Sequence, residues 1–455
     1  IMKILLVRPG RRKQAITLGE FMFSEPIGLE CVYTLLKDKH DIRILDLMAG
    51  YEDFLQECKK WRPDVIGFTS LCIDVLAVLE LAKKAKSLYP HVITLVGGTQ
   101  AFLAPESFYH QNIDHIAQYT TKDNLIKLFS FLERGEQPPL IDGIRSRENH
   151  FQGTGVRGIN DYIPPDRSST DKYRKEYSYF GFKPCAIIQT SRGCSSGCSF
   201  CVRWKIEGSQ ERDEPLEDII QEIKKINEAS IMIFDNDFLY NRDRLERFCD
   251  LLEAGQIKKN FICYGSAHSI VKAGATMERL AKNGLKSVLV GYESFKDEEL
   301  MSYHKKATTE TNLAAAQLLK KYRIDCWASF ILHPDWNPRD FKEFRRYLKK
   351  LRPEISSLTP MTPFPGTYLE DKYKGRILYR KEDYDQWSYS VVSIAPGKMS
   401  LRRYYYEVLK TNLYVNLSLN NACYMAGKFG CATLIRVLKG SFKFLVTYIK
   451  LMLKG

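Results

Sequence analysis

Two separate runs of alternating strand and helix patterns constrain this 455-residue chain more than any other feature in it. In the first run, Lys3–Val7, Asp41–Asp46, Val65–Thr69 and Val92–Val96 read as strands, while Pro26–Lys37, Tyr51–Lys60 and Asp74–Tyr89 read as helices. Strands rich in Ile, Val and Leu with helices between them imply a parallel sheet covered on both faces, a doubly wound α/β domain. The second run has six strands: Ala186–Gln189, Ile231–Phe234, Phe261–Tyr264, Ser287–Val290, Trp327–Leu332 and Ser357–Thr359. Stretches such as Leu216–Ala229 and Arg242–Ala254 have helical spacing between them. Six strand–helix units suit a barrel or partial barrel, in which functional residues follow the strands. The expected layout is a first domain over 1–140, a connector over 141–180, a barrel over 181–390 and a helical segment over 391–455. The connector carries the turn chemistry of Pro164-Pro165-Asp166-Arg167-Ser168-Ser169.

The sharpest local feature is Thr190-Ser191-Arg192-Gly193-Cys194-Ser195-Ser196-Gly197-Cys198-Ser199-Phe200-Cys201, just after the first strand of the second run. Gly193 and Gly197 let this loop curl so that three sulfurs at C-x3-C-x2-C spacing converge. Thiolates are the usual ligands of iron–sulfur clusters, which normally have four, so three would leave one iron open. A structural zinc site would want a fourth Cys or His close by, and Val202 and Arg203 supply neither. Cys185 precedes the strand and belongs at its opposite end; a redox pair with a spare buried thiol is the other reading. A composition of 44% hydrophobic and 27% charged residues is that of an ordinary globular protein. The opening residues read as a strand, not as a signal peptide, and no apolar stretch reaches the roughly 18 residues of a membrane span. Twelve cysteines in such a chain imply a reducing, cytoplasmic setting, where clustered thiols bind metal more often than they pair.

The cysteine spacing, with the aromatic Phe200 before the third thiol, resembles the signature of the radical S-adenosylmethionine (SAM) enzymes. With a doubly wound domain in front, residues 1 to 390 resemble the cobalamin-binding branch, which includes hopanoid methylases and the anaerobic protoporphyrin ester cyclase. The resemblance implies a Rossmann-like cobalamin domain, a partial (β/α)6 TIM-type barrel, and a [4Fe-4S] cluster on Cys194, Cys198 and Cys201. SAM would chelate the open iron, and reductive cleavage would yield a radical that removes hydrogen from an unactivated carbon. The implied activity is cobalamin-dependent C-methylation; the alternative is cyclisation or C–C bond formation without methyl transfer. Implied partners are a one-electron reductase of flavodoxin or ferredoxin type and a small-molecule or lipid substrate.

Other strand ends extend the site. Asp235-Asn236-Asp237 places acidic groups after the second strand; Asp237 is the candidate for the methionine half of SAM, and Asp235 alternatively caps its turn. Gly291-Tyr292-Glu293-Ser294 resembles the family's Gly-x-Glu-Ser element, so Glu293 would approach the ribose hydroxyls, with Ser294 beside it. Its other reading is a charge at a helix N-terminus. Ser266 is a further SAM candidate, while His268 and His333 are candidate catalytic groups. The turn His333-Pro334-Asp335-Trp336 departs from the glycine-rich turn seen in relatives. Pro363-Phe364-Pro365-Gly366-Thr367 matches a recurrent loop that could close one side of a cavity. In the first domain, Thr69, Ser70, Gly97, Gly98 and Thr99 follow strands where a nucleotide tail would lie against backbone. The Asp-x-His-x-x-Gly motif that ligates cobalt elsewhere is absent. Gln118-Tyr119-Thr120-Thr121-Lys122-Asp123 replaces the usual glycine–glutamate run, so loss of cobalamin is the competing expectation.

From residue 401 onward, nine basic residues face the single acid Glu407, so this tail holds +8 of the net +14. Arg436, Lys439, Lys443, Lys450 and Lys454 fall on one helical stripe among Leu438, Leu445, Ile449 and Met452. Such a helix can lie in the surface of an anionic membrane, here its inner face. The alternative is a helix docked on the protein with a solvated basic edge. Nucleic acid is not expected, because no RNA-binding motif or aromatic platform accompanies the charge.

Overall fold

The computed structural model describes residues 1–10, 22–416 and 419–454, with residues 419, 420 and 454 described by their backbone only. The chain divides into two compact units. One comprises the first strand, Pro26–Glu176 and the segment Tyr379–Ser388; the other comprises Tyr177–Leu378 and the chain from Tyr389 onward.

The first unit is built on a sheet of order β2-β1-β3-β4-β5-β6. Strands β1 (Lys3–Arg8), β2 (Asp41–Asp46), β3 (Val65–Thr69), β4 (Ile93–Gly97) and β5 (His115–Ala117) run parallel. Strand β6 (Ile144–Ser146) closes the edge antiparallel. Side chains alternate across a strand, and β1 shows the consequence: Leu5 and Val7 enter one core, Ile4 and Leu6 the other. Helices α1 (Ile27–Leu36), α2 (Phe54–Trp61), α3 (Val75–Leu88), α4 (Thr99–Leu103) and α5 (Lys122–Glu133) connect the strands. The order 2-1-3-4-5 is doubly wound, as the sequence implies, and it reverses between β1 and β3, beside the turn after β3. Strands β5 and β6 have three residues each, too few for a readable alternation.

The second unit holds six parallel strands in sequential order: β7 (Cys185–Ile188), β10 (Ser230–Ile233), β11 (Asn260–Ser266), β12 (Leu285–Glu293), β13 (Asp325–Leu332) and β14 (Ile355–Pro360). A two-residue hairpin, β8 (Ser191–Arg192) with β9 (Arg212–Asp213), intervenes. The helices that follow are α6 (Arg203–Glu207), α7 (Leu216–Lys225), α8 (Arg242–Ala254), α9 (Ala267–Ala273), α10 (Thr276–Lys282), α11 (Asp297–Ser302), α12 (Thr309–Lys321), α13 (Pro338–Leu351) and α14 (Tyr368–Tyr373). Alternate strand residues such as Ile231, Ile233, Cys263, Val290 and Phe330 form the core beneath these helices. The intervening Phe234, Tyr264, Leu289, Gly291, Ser329 and Thr359 stay partly accessible. The inner face of this partial barrel is therefore open, unlike the filled interior of a closed one.

The tail forms α15 (Leu401–Asn416), α16 (Leu419–Phe429) and α17 (Cys431–Lys454), the last continuous through Gly440. Tyr448 is fully buried and donates to the Ser390 carbonyl at 2.5 Å; Phe444, Leu445, Leu451 and Met452 pack on the core beside it. Ile435, Leu438, Phe442, Ile449 and Leu453 form a second, exposed stripe. Leu445 and Met452, read from sequence as one apolar face with Leu438 and Ile449, thus separate into docked and exposed sets. The side chain of Lys454 lies outside the described residues. Among the described residues, no helix is long and apolar enough to cross a membrane.

Candidate functional site

The three thiols lie in one loop between β8 and α6. Cys198 is buried, Cys194 and Cys201 are partly so, and none is in a disulfide. Gly193 adopts φ +85°, and a Cβ there would come within 1.9 Å of the Gln210 carbonyl oxygen, so only glycine fits. The Cys194 N–H donates to the Gly208 carbonyl at 3.1 Å and the Cys201 N–H to the Cys198 carbonyl at 3.1 Å. Burial raises the Cys201 thiol pKa, while N–H groups of Arg203 and Trp204 and the Arg203 charge pull it back toward the thiolate. Burial likewise pushes the Cys198 thiol up to about 11, against the pull of Lys305. Among the described residues, no three His, Cys, Asp or Glu groups close on one metal ion. Thiolates that each take a separate iron of a cluster have no need to share one ion as zinc ligands do.

Carboxylates hold this loop from three sides. Asp235, buried after β10, accepts from the Thr190 N–H at 2.7 Å, the Thr190 hydroxyl at 2.5 Å and the Ser191 hydroxyl at 2.9 Å. Burial outweighs those bonds and pushes its pKa up to about 6. Glu211 accepts from both the N–H and the hydroxyl of Ser195 at 2.8 Å. Glu207 pairs with Arg203 at 2.9 Å and accepts from Asn236 at 2.8 Å, and Asn236 also donates to the Gly193 carbonyl at 2.9 Å. The amide oxygen of Asn236 is buried with no partner. The sequence marks Asp235 only as an acidic group or a cap of its own turn; its bonds to Thr190 and Ser191, up to 45 positions away, and the parts of Glu207 and Glu211 carry no sequence signal.

Glu293 ends β12 in the left-handed region, at φ +65°, and is buried. Its Oε1 accepts from Lys305 Nζ at 3.2 Å. Gly291 makes room for this pair, since a Cβ there would lie 2.4 Å from Glu293 Oε1 and 3.0 Å from Lys305 Nζ. Lys305 follows α11, whose end is tied to the cysteine loop by the Ser199 N–H donating to the Tyr303 carbonyl at 3.1 Å. Asp237 accepts from the Ser266 N–H at 3.3 Å and the Ser269 hydroxyl at 2.7 Å, and Ser266 caps α9. Ser294 is fully buried and donates to Glu299 at 2.5 Å, so its hydroxyl does not join Glu293. His268 is exposed on the first turn of α9.

His333 follows β13 and is held by its own turn and by α14. Its Nδ1 accepts from the Asp335 N–H at 3.1 Å, its Nε2 lies 3.3 Å from the Tyr373 hydroxyl, and burial lowers its pKa to about 4. Tyr373 belongs to the apolar cluster on which Phe200 packs. The loop at 363–367 reaches α6, where Lys205 donates to the Gly366 carbonyl, and Phe364 meets Tyr389 edge-on at 5.0 Å. Tyr389 is 59% exposed, yet surrounding protein pushes its pKa up to about 12, with Cys201 the largest charge acting on it.

In the first unit, Gly98 has φ +95°, and a Cβ would lie 2.8 Å from the Ser70 nitrogen and 2.9 Å from the Thr69 hydroxyl. Ser70 is buried, its N–H donating to the Gly97 carbonyl at 3.0 Å, while Thr69, Gly97 and Thr99 stay partly accessible and Gly98 is exposed. The two turns therefore offer close-set backbone to a ligand, which suits an extended nucleotide tail. Tyr119 is packed so closely that a Cβ on Gly143 or Gly158 would strike its ring at 2.8 or 2.3 Å, and Thr121 caps α5. The departure at 118–123 is thus absorbed by packing.

The family model for the radical SAM superfamily matches residues 188–348, and that for the B12 binding domain matches residues 22–125. This is a B12-binding radical SAM enzyme. It is 28% identical over 419 residues to the hopanoid C-3 methylase of Methylococcus capsulatus, covering 90% of this chain and 79% of that protein. It is 24% identical over 375 residues to the anaerobic magnesium-protoporphyrin IX monomethyl ester cyclase of Cereibacter sphaeroides, covering 78% and 60%. Its fold resembles that of the cobalamin-dependent SAM radical enzyme OxsB with aqua-cobalamin and SAM bound. That match has a TM-score of 0.73 at 15% identity and covers 98% of this radical SAM chain and 72% of the other.

Proposed function

We propose that this enzyme is a cobalamin-dependent radical SAM methyltransferase acting on an unactivated carbon of a lipid or isoprenoid-like substrate. The observation that carries the reading is the relation to a hopanoid C-3 methylase across 90% of the chain, through both matched domains. Bound together, the cluster, SAM and cobalamin supply a hydrogen-abstracting radical and a transferable methyl group. The chain's part is to hold and shield them. Cys194, Cys198 and Cys201 provide the thiolates, in a loop fixed by Asp235, Glu207 and Glu211. Glu293 would receive the ribose hydroxyls, with Asp237, Ser266 and the backbone at Ser294 completing the SAM site. Thr69, Ser70, Gly97, Gly98 and Thr99 would receive the cobalamin tail, and Tyr389 would face the substrate.

The experiment is anaerobic incubation of the reconstituted enzyme with methyl-labelled SAM, a flavodoxin- or ferredoxin-type reductant and hopanoid-type lipids. Label in a lipid product together with 5′-deoxyadenosine is expected. Deoxyadenosine with an unlabelled product would move the assignment to cyclisation, the chemistry of the related ester cyclase.

The exposed stripe of α17, flanked by Lys439, Lys443 and Lys450, supports peripheral contact with an anionic membrane, which would bring the enzyme to a lipid substrate. Phe442→Ser combined with Lys443→Glu should lose co-sedimentation with anionic liposomes and leave the docked face intact. Undiminished binding would overturn the membrane contact.

A further inference from the structure

The Lys305–Glu293 pair is an expensive feature for its position. A lysine is rarely buried without a paired charge, and taking two charges out of water costs several kcal/mol per ion before their attraction is counted. Both side chains are nearly buried, at 13% and 10% exposure. The pair sits over Gly291 on β12, where a Cβ would press on both charged groups and force them to shift. The chain around Lys305 is fastened to the cysteine loop twice, by Ser199 N–H to the Tyr303 carbonyl at 3.1 Å and Ser199 hydroxyl to the Ser302 carbonyl at 3.3 Å.

Ser199, the residue after Cys198, makes both of those bonds, so the segment that carries the buried ammonium is fastened directly beside a thiol of the cysteine loop. The Glu293 carboxylate at 3.2 Å keeps the ammonium in its charged form. Arg203, the cation beside Cys201, differs. Its partner Glu207 sits beside the loop and shares itself with Asn236 and the Gly193 N–H. Lys305 instead is a buried cation on the segment fastened beside Cys198, with Glu293 as its partner.

We propose that Lys305 is a positioning residue that sets how readily the cluster held by Cys198 accepts its electron. The inference rests on the cluster assignment of the preceding section. One electron from a flavodoxin- or ferredoxin-type donor adds one negative charge beside Cys198, with no bond made or broken in the protein. A fixed ammonium lowers the energy of that added charge, and net charge and burial are main determinants of such potentials. Glu293 opposes it, so the two side chains set the potential in opposite directions while fixing each other in place.

The test is a redox titration of the anaerobically reconstituted full-length enzyme, without SAM, followed by electron paramagnetic resonance and paired with iron counting. Lys305→Met should lower the reduction equilibrium constant at least about tenfold, equivalent to about 59 mV for one electron. Lys305→Arg should restore most of that shift, and Glu293→Gln should move the midpoint the opposite way. A fully loaded Lys305→Met enzyme with an unmoved midpoint, or an arginine variant as shifted as the methionine one, would overturn the proposal. Should Lys305→Met fail to hold iron, Glu293→Gln decides: an upward shift supports the proposal and none overturns it. Failure of the cluster reading is distinct, because the wild-type enzyme would then show neither iron nor a reducible signal.

Discussion

The two parallel sheets finish their strands in contrasting ways. After β3 and β4 the turns are made of backbone: Gly97, Gly98 and Ser70 lie so close that one extra carbon on Gly98 would collide. After β7, β10 and β12 the turns are made of charge: Asp235, Glu207 and Glu211 hold the cysteine loop, and Glu293 and Lys305 hold each other. A long ligand that lies along a turn needs its side chains removed. A compact, charged cluster needs its surroundings fixed, and buried ionic bonds do that when each partner is satisfied. The first sheet should therefore fail when atoms are added, and the second when a thiol or a charge is removed.

The largest effect belongs to the second sheet. Cys198→Ala should abolish bound iron and reductive SAM cleavage, measured by iron content and 5′-deoxyadenosine. Because the thiol is small and buried, the thermal midpoint should move by only a few degrees. An enzyme that still produced deoxyadenosine would end the cluster assignment. On the first sheet the corresponding change is an addition. Gly98→Ala should cost about 1–3 kcal/mol through its φ of +95° and the contact with Ser70. Cobalamin retained after anaerobic gel filtration should fall roughly tenfold or more, as 1.4 kcal/mol corresponds to a factor of ten, with iron unchanged. Equal loss of iron and cobalamin would mean that the two sheets do not fail independently, and the contrast would collapse.

Much of this contrast is legible in the sequence, though unevenly. Apart from β5 and β6, the strands of the two large sheets appear within three residues of their ends, because most bury apolar residues whose spacing survives in one dimension. The thiols and Gly193 are legible because a fixed spacing and a required φ are local properties. Lys305 is not. It lies 12 residues beyond Glu293 outside any periodic element, and lysines are surface residues by default. Glu207 ends α6 and Glu211 lies between it and β9, where charged residues ordinarily face water, and only the folded loop brings Gly193 and Ser195 to them. Ser294 shows the converse. Its motif placed it beside Glu293, but the left-handed residue before it redirects the chain and its hydroxyl points to Glu299. On α17, periodicity located the apolar residues but could not tell two adjacent faces apart, since Leu445 and Ile449 differ only in what packs against them.

The smallest expected effect tests whether charge at the second sheet is structural cost or structural gain. Asp235 is buried, and its folded pKa of about 6 stands above its ordinary value of 3.8 despite three hydrogen bonds. Between those values the folded enzyme binds a proton that the unfolded chain releases. The carboxyl's contribution is therefore fully present below about pH 4 and lost as pH rises through 6. A shift of this size corresponds to about 3 kcal/mol as an upper bound. Asp235→Asn should flatten the fall in stability between pH 4 and 7, measured by urea unfolding of the apo-enzyme. The amide can still accept from the Thr190 N–H, and the two hydroxyls can turn to accept from it, so the loop should keep its shape and its iron. An unchanged slope would show that desolvation of Asp235 is not what the loop bears. A lost cluster with a flattened slope would show that the negative charge itself, beyond the hydrogen bonds, holds the thiols in place.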